Sequence, residues 1–299
     1  MRYGGHQTFP IREGWLTKAI DLLESEPAAF TRKDLSEYLG VGTNMAKAIE
    51  HWIVVTGLAT RLPAKEAHLE KRKFVLTPFG RIIAEQDPFF TAEDTWWLLH
   101  INIVNDEANA ATWNWFFNDF AEKRFEKSQL VGRLVRHERS TATRPASEKT
   151  IERDLSCFLG SYAKPVPREK KDPEEDLGSP LQELGIMSSF RATGAYELHR
   201  RAHKITPEVL LYSIVKSGLR NSEDDGNIDF TFTHLTHRRS GPLQTLVLSA
   251  EGLFESLLAA ERETAEYELS VRGFAGDRQI TMRNVSPEGL VQNLYRKAA

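Results

Sequence analysis

Gly40-Val41-Gly42-Thr43-Asn44-Met45-Ala46-Lys47-Ala48-Ile49-Glu50-His51-Trp52-Ile53-Val54-Val55-Thr56-Gly57 is the stretch on which the fold turns. Two glycines punctuate a tight turn, and Met45, Ile49, Trp52 and Ile53 then recur at helical spacing, which assigns them to a buried face. Asn44, Lys47 and His51 fall on the opposite, outward side. Just upstream, Thr31 is placed to cap a helix over Arg32 to Leu39, so the two helices flank a turn with helix-turn-helix spacing. Downstream, Leu58 to Leu62 and Phe74 to Leu76 read as two short strands around a polar basic loop, the pattern of a wing. Thr77-Pro78 then opens another helix, with threonine as cap and proline in the first turn.

The remaining chain extends this unit in both directions. An amphipathic helix is expected from Arg12 to Ser25, with Trp15, Leu16, Ala19, Ile20, Leu22 and Leu23 on its apolar side. From Thr91, where Thr91 and Asp94 resemble a capping box, to about Tyr162 the pattern is helical and rich in aromatics. Trp113, Trp115, Phe116, Phe117 and Phe120 read as bundle core, and Ile151, Leu155, Phe158 and Tyr162 share one face of a helix begun by Ser147. Lys164 to Gly178, proline-rich and charged, reads as a linker. Beyond it, a helix starts at Thr206-Pro207 and runs to about Leu219, Ile228, Phe230 and Phe232 alternate as a strand, and Ser249 caps a helix to Glu263. Tyr267 to Val271 and Gln279 to Met282 read as a hairpin around Gly273 to Asp277. The fold class expected is α+β and mainly helical: an N-terminal helix plus winged helix-turn-helix (1–90), a helical bundle (91–163) and an α+β C-terminal region (164–299).

Composition narrows the function classes. The 299 residues are 40% hydrophobic and 27% charged, ordinary for a globular protein. The longest apolar runs are far shorter than the ~20 residues of a membrane span. The opening shows no basic segment followed by an apolar one, so a cytoplasmic location and no membrane partner are expected. Cys157 is the single cysteine and reads as a small buried hydrophobe. A net charge of −3 fails the simplest test for a nucleic-acid protein. Charge is uneven, however: Lys65 to Lys73 and Lys127 to Arg144 are basic, while Asp172 to Asp176 is acidic, so a local basic surface remains open.

The chemistry-bearing residues fall into two groups. Asparagine pairs well with adenine and lysine with guanine or phosphate, so Thr43, Asn44, Lys47 and His51 on the second helix, with Arg61, Lys65, Lys71, Arg72 and Lys73 on the wing, are the candidate DNA-binding set. A protein-docking module is the alternative for the same face. In the opening, Gly4 and Gly5 would let the backbone approach a phosphate, with His6, Arg12 and Lys18 around a helix N-terminus.

The run Gly5-His6-Gln7-Thr8-Phe9-Pro10 with Arg12, Gly14-Trp15-Leu16 and Lys18 resembles the opening of a bacterial domain-of-unknown-function family, the SspB-like family, that accompanies PAPS-reductase-like phosphorothioation enzymes. Val41 to Met45 with Trp52 and Gly57-Leu58, and Leu76-Thr77 with Gly80, are similar to its helix-turn-helix and wing exit. Lys149 to Leu155 with Phe158 and Tyr162, and Ser179 to Gly185, extend the resemblance over most of the chain. It implies a DNA-nicking role in phosphorothioate modification and anti-phage defence, with double-stranded DNA, a cysteine desulfurase, an ATPase and a PAPS-reductase-like sulfurtransferase as partners. A homodimer stays open.

No HNH, paired-histidine, Walker or carboxylate–carboxylate–lysine nuclease pattern is evident. His199 with His203, and His234 with His237, have metal-like spacing but sit among arginines and lysines, which disfavours a cation. By elimination His6, as acid or base, and Arg12 and Lys18, as charge stabilisers, lead the candidates for phosphate chemistry. A divalent ion, magnesium or manganese, held by scattered carboxylates is the equal alternative. The readings from other classes are a non-catalytic adaptor that recruits the sulfurtransferase and a winged-helix transcription regulator.

Overall fold

Gly14 adopts φ 74°, a left-handed conformation that closes off the turn-rich opening, so α1 (Trp15–Ser25) begins after it rather than at Arg12. The computed structural model describes residues 3–70, 73–166, 178–201, 203–218, 228–274, 276–283 and 285–298. Pro27–Thr31 forms a 3-10 turn where a helix cap was expected at Thr31. Helix α2 (Leu35–Leu39) is accordingly short, because Arg32 occupies the Asp34 carboxylate that stands at its N-cap. Gly40 at φ 62° ends α2, and α3 (Thr43–Val55) follows after Gly42.

Strands β1 (Ala59–Arg61) and β2 (Phe74–Leu76) pair antiparallel, with Ala59 opposite Leu76. Between them lies α4 (Ala64–Glu70) and not a loop. The physical reason is local: Pro63 stands just ahead of Ala, Lys, Glu and Leu, all strong helix formers, and its carbonyl accepts from Ala67 N–H. Helix α5 (Pro78–Gln86) starts as expected, with Thr77 Oγ1 accepting from Gly80 N–H.

The central region contains α6 (Glu93–Asn105), α7 (Ala111–Asp119), β3 (Arg124–Glu126), α8 (Lys127–Thr141) and α9 (Glu148–Tyr162). The start of α6 is organised by Asp87 rather than by a capping box: its carboxylate accepts from Thr91 N–H, Ala92 N–H and the Thr95 hydroxyl. Trp113, Trp115, Phe116, Phe117 and Phe120 are all buried. Strand β4 (Ala163–Val166) continues directly from α9, and after a 3-10 turn at Pro180–Leu184 come β5 (Met187–Phe190) and β6 (Ala195–Leu198). These form one sheet in the order β3-β6-β5-β4, with β4 parallel to β5 and the other pairs antiparallel. The expected linker therefore begins as a sheet strand. Its residues 167–177 lie outside the described residues.

The C-terminal part comprises α10 (Pro207–Lys216), β7 (Ile228–Thr231), α11 (Phe232–His237), α12 (Pro242–Thr245), α13 (Ala250–Glu263), β8 (Ser270–Phe274), β9 (Asp277–Met282) and α14 (Pro287–Ala298). The sheet order is β7-β9-β8, so the expected hairpin is present with a tighter turn, and Phe232 opens α11 instead of prolonging β7. Helix α10 packs among α6, α13 and α14. The buried side chains form one cluster from Ile11 to Tyr295 that runs across both expected boundaries, near 90 and 163. Two buried polar links bind the regions further. Asn102 donates to Thr56 O at 2.9 Å and accepts from Tyr212 OH at 2.8 Å. His100 donates from Nε2 to Thr245 O at 2.6 Å and accepts at Nδ1 from Tyr162 OH at 2.8 Å.

Candidate nucleic-acid interface

Helix α3 turns Ala46, Ile49, Trp52 and Ile53 inward and leaves Thr43, Asn44 and Lys47 in solvent. Gly42, at its N-cap, provides no side chain, so the first N–H groups of α3 have no cap and face an exposed turn. Lys18 joins this front from α1: its Nζ donates to Leu39 O at 3.4 Å, at the end of α2 beside Gly40. Thr43, Asn44 and Lys47 thus line the uncapped start of α3, and Lys18 stands at the end of α2 that precedes it, residue types suited to a phosphate and a base edge.

His51 departs from the expected outward face. It is 8% exposed, its ring packs edge-on against Trp52 and His6, and it lies so close to Gly5 that a β-carbon there would overlap its Nδ1. The reason is the N-terminal segment, which crosses over this side of α3; nothing in the helical periodicity could announce it.

On the β1–β2 side, Arg61 and Lys65 are exposed, and the Arg61 guanidinium lies 5.1 Å from the Phe74 ring centre. Lys73 is committed to Glu50, with Nζ 2.7 Å from both carboxylate oxygens. Lys71 and Arg72 lie outside the described residues.

The His6, Arg12 and Lys18 trio does not converge. His6 is 2% exposed, and both ring nitrogens are engaged. Nε2 donates to Asp154 Oδ1 at 2.7 Å, while Nδ1 accepts from Thr8 N–H at 3.0 Å. Asp154 also accepts from Gly4 N–H at 2.6 Å and from the Thr112 hydroxyl at 2.6 Å. Tyr3 donates to Glu138 of α8 at 2.7 Å, and burial, followed by that carboxylate, pushes its phenol up. The opening is thus a clamp onto α7, α8 and α9, and His6 is its pin rather than a base open to substrate. Asp154 was readable as an oddity, a carboxylate flanking the apolar stripe of Ile151, Leu155 and Phe158.

Arg12 lies elsewhere, with its guanidinium 5.5 and 5.6 Å from the ring centres of Phe9 and Trp15. It lines a cleft of about 980 Å³ with Phe89, Trp96, Lys164, Ser179, Ser188 and Arg191. Phe89 is 74% exposed there. His199 and His203 are not on a helix: His203 Nε2 donates to His199 O at 3.2 Å, and burial holds both imidazoles below their usual range. His237, exposed on α11, donates from Nδ1 to Thr233 O. Among the described residues no group of three His, Cys, Asp or Glu side chains is placed to hold a metal ion. None of the described helices is long and apolar enough to cross a membrane.

Two crystal structures of SspB, one of them magnesium ion-bound, share this fold. Each gives a TM-score of 0.83 at 22% identity, over 99% of this chain and 87% of the SspB chain. No curated protein matches the chain in sequence. The profile of a family described as "Protein of unknown function (DUF4007)" matches residues 3–296, and with nearly its whole length covered the chain belongs to the DUF4007 family.

Proposed function

We propose that the chain is a DNA-binding, strand-nicking component of a phosphorothioate modification and anti-phage defence system, working in the cytoplasm with a cysteine desulfurase, an ATPase and a PAPS-reductase-like sulfurtransferase. The observation that carries the DNA-binding reading is the exposed front of α3, where Thr43, Asn44 and Lys47 line an uncapped helix start, with Lys18 at the end of α2 that precedes it. Arg61 and Lys65 extend it toward the backbone as a winged helix does, with the wing carried by α4 and the β1–β2 pair. The shared fold with SspB and the family resemblance support the pathway reading. A divalent ion, magnesium or manganese, belongs to this reading; magnesium commonly binds through one or two carboxylates together with substrate phosphates and waters.

The adaptor reading has its own support, since the residues first read as catalytic are separated: His6 is locked to Asp154, Arg12 faces the cleft and Lys18 stands at the end of α2. Conversion of supercoiled plasmid to open circles separates the two readings. Nicking by purified protein, with a divalent ion supplied, supports the enzyme; duplex binding with no conversion supports the adaptor.

A further inference from the structure

The four-stranded sheet aligns Lys164, Ser188, Glu197 and Arg124 as one row across β4, β5, β6 and β3. His199, two residues beyond Glu197, comes to the same side, and its Nε2 stands 2.8 Å from Ser188 Oγ. A serine hydroxyl hydrogen-bonded to an imidazole is the usual preparation of a weak nucleophile, and the spacing is within reach for proton transfer. Burial lowers the proton affinity of His199, in the direction that favours the neutral ring able to accept a proton.

Ser188 opens on the cleft of about 980 Å³ that Arg12 also lines. Lys164, its neighbour in register, is held by Glu183 at 2.7 Å, and Arg12 is steadied on two aromatic rings. Ser179, on the same lining, buries a hydroxyl that has no partner among the described residues. Exposed Phe89 at the mouth offers a face for a base.

We propose that Ser188 is a nucleophile and His199 its general base for a phosphodiester seated in this cleft. The assignment rests on the nicking reading for its substrate. His199 takes the proton from Ser188 Oγ as the Oγ–P bond forms and the bond from phosphorus to the leaving sugar oxygen breaks. The leaving oxygen keeps the electron pair and receives the proton from the imidazolium. Water, deprotonated by His199, then hydrolyses the phosphoserine, restoring the serine and consuming one water per nick. Arg12 and Lys164 offset the charge that develops on phosphorus oxygens.

A fluorophosphonate probe, whose phosphorus electrophile needs no DNA, tests the pair directly by mass spectrometry. Wild-type protein should carry the adduct on Ser188, and His199→Gln should lose it while melting as wild type does. On supercoiled plasmid, Ser188→Ala and His199→Gln should each slow nicking by about 100-fold or more, the scale expected for losing acid–base or nucleophilic assistance. Absence of the adduct, or wild-type nicking by Ser188→Ala, overturns the assignment. An adduct on a protein that converts no plasmid upholds the pair and sinks the nicking reading alone.

Discussion

His6 Nε2 lies 2.7 Å from Asp154 Oδ1 with both side chains 2% exposed, and this contact joins the glycine-rich opening to the middle of α9. Breaking a buried, multiply hydrogen-bonded pair leaves its partner without a counterpart in a medium that solvates it poorly. His6→Ala should therefore cost about 3 kcal/mol of stability, and Asp154→Ala at least as much, since Gly4 and Thr112 also lose their acceptor. A double-mutant cycle read by chemical denaturation should show the two costs to be strongly non-additive. Additive costs would mean the clamp holds by packing alone.

Gly80 allows α5 to lie against β1. A β-carbon at this position would overlap the Leu58 carbonyl, a backbone group that cannot rotate away. Gly80→Ala should cost about 1–3 kcal/mol and more if α5 cannot shift, whereas Gly132→Ala, on an open helix face, should be neutral or slightly stabilising. Melting curves of the two variants check this, and equal melting would show that α5 is not tightly seated.

The imidazole of His100 is fully enclosed, and burial drives its pKa down to about 4 from 6.5. The unfolded chain binds this proton near pH 6.5 and the folded chain only near 4, so between these values the unfolded state holds more protons. The contribution is present above pH 6.5 and is lost as the pH falls toward 4, amounting to about 3 kcal/mol. Denaturation of wild type and His100→Gln above pH 6.5 and near pH 4 should give a steeper loss for wild type. Parallel loss in both proteins would place the acid sensitivity elsewhere.

Lys18 stands at the end of α2 and Lys47 is exposed on α3, and each is expected to meet a phosphate. Lys18→Ala and Lys47→Ala should each weaken duplex binding and reduce the slope of log affinity against log salt by about one, without altering sequence preference. Asn44→Ala should relax sequence preference and leave the salt slope alone. Anisotropy titrations over several salt concentrations distinguish these outcomes, and unchanged binding by all three variants would turn this face into a protein-docking surface.

Much of the fold was legible because local rules decided it. The α2–turn–α3 unit follows from Gly40 in the left-handed region and the spacing of Ile49, Trp52 and Ile53. The starts of α5, α9 and α13 follow from Thr77, Ser147 and Ser249, each of which accepts the capping hydrogen bond. Aromatic residues of α7 read as core and are buried, and Cys157 is buried as a small hydrophobe. Periods and caps depend on neighbours a few positions away, and a sequence displays those neighbours directly.

What tertiary structure alone decided is the partner of each polar side chain. Lys47 and His51 share one helical face, yet the first is in solvent and the second lies under the chain's own opening, because a segment some forty-five residues upstream crosses over it. His6, Arg12 and Lys18 are close in sequence and go to a clamp, a cleft and the end of α2. Ser188 and His199 meet only because β5 and β6 pair in one register, and a shift of one residue would send one of them to the other face. Helical and strand periods fix which side of an element is apolar. Which polar group then finds a partner, and which is left facing a cleft, is set by contacts between positions far apart in the chain, and those exist only once the core has closed.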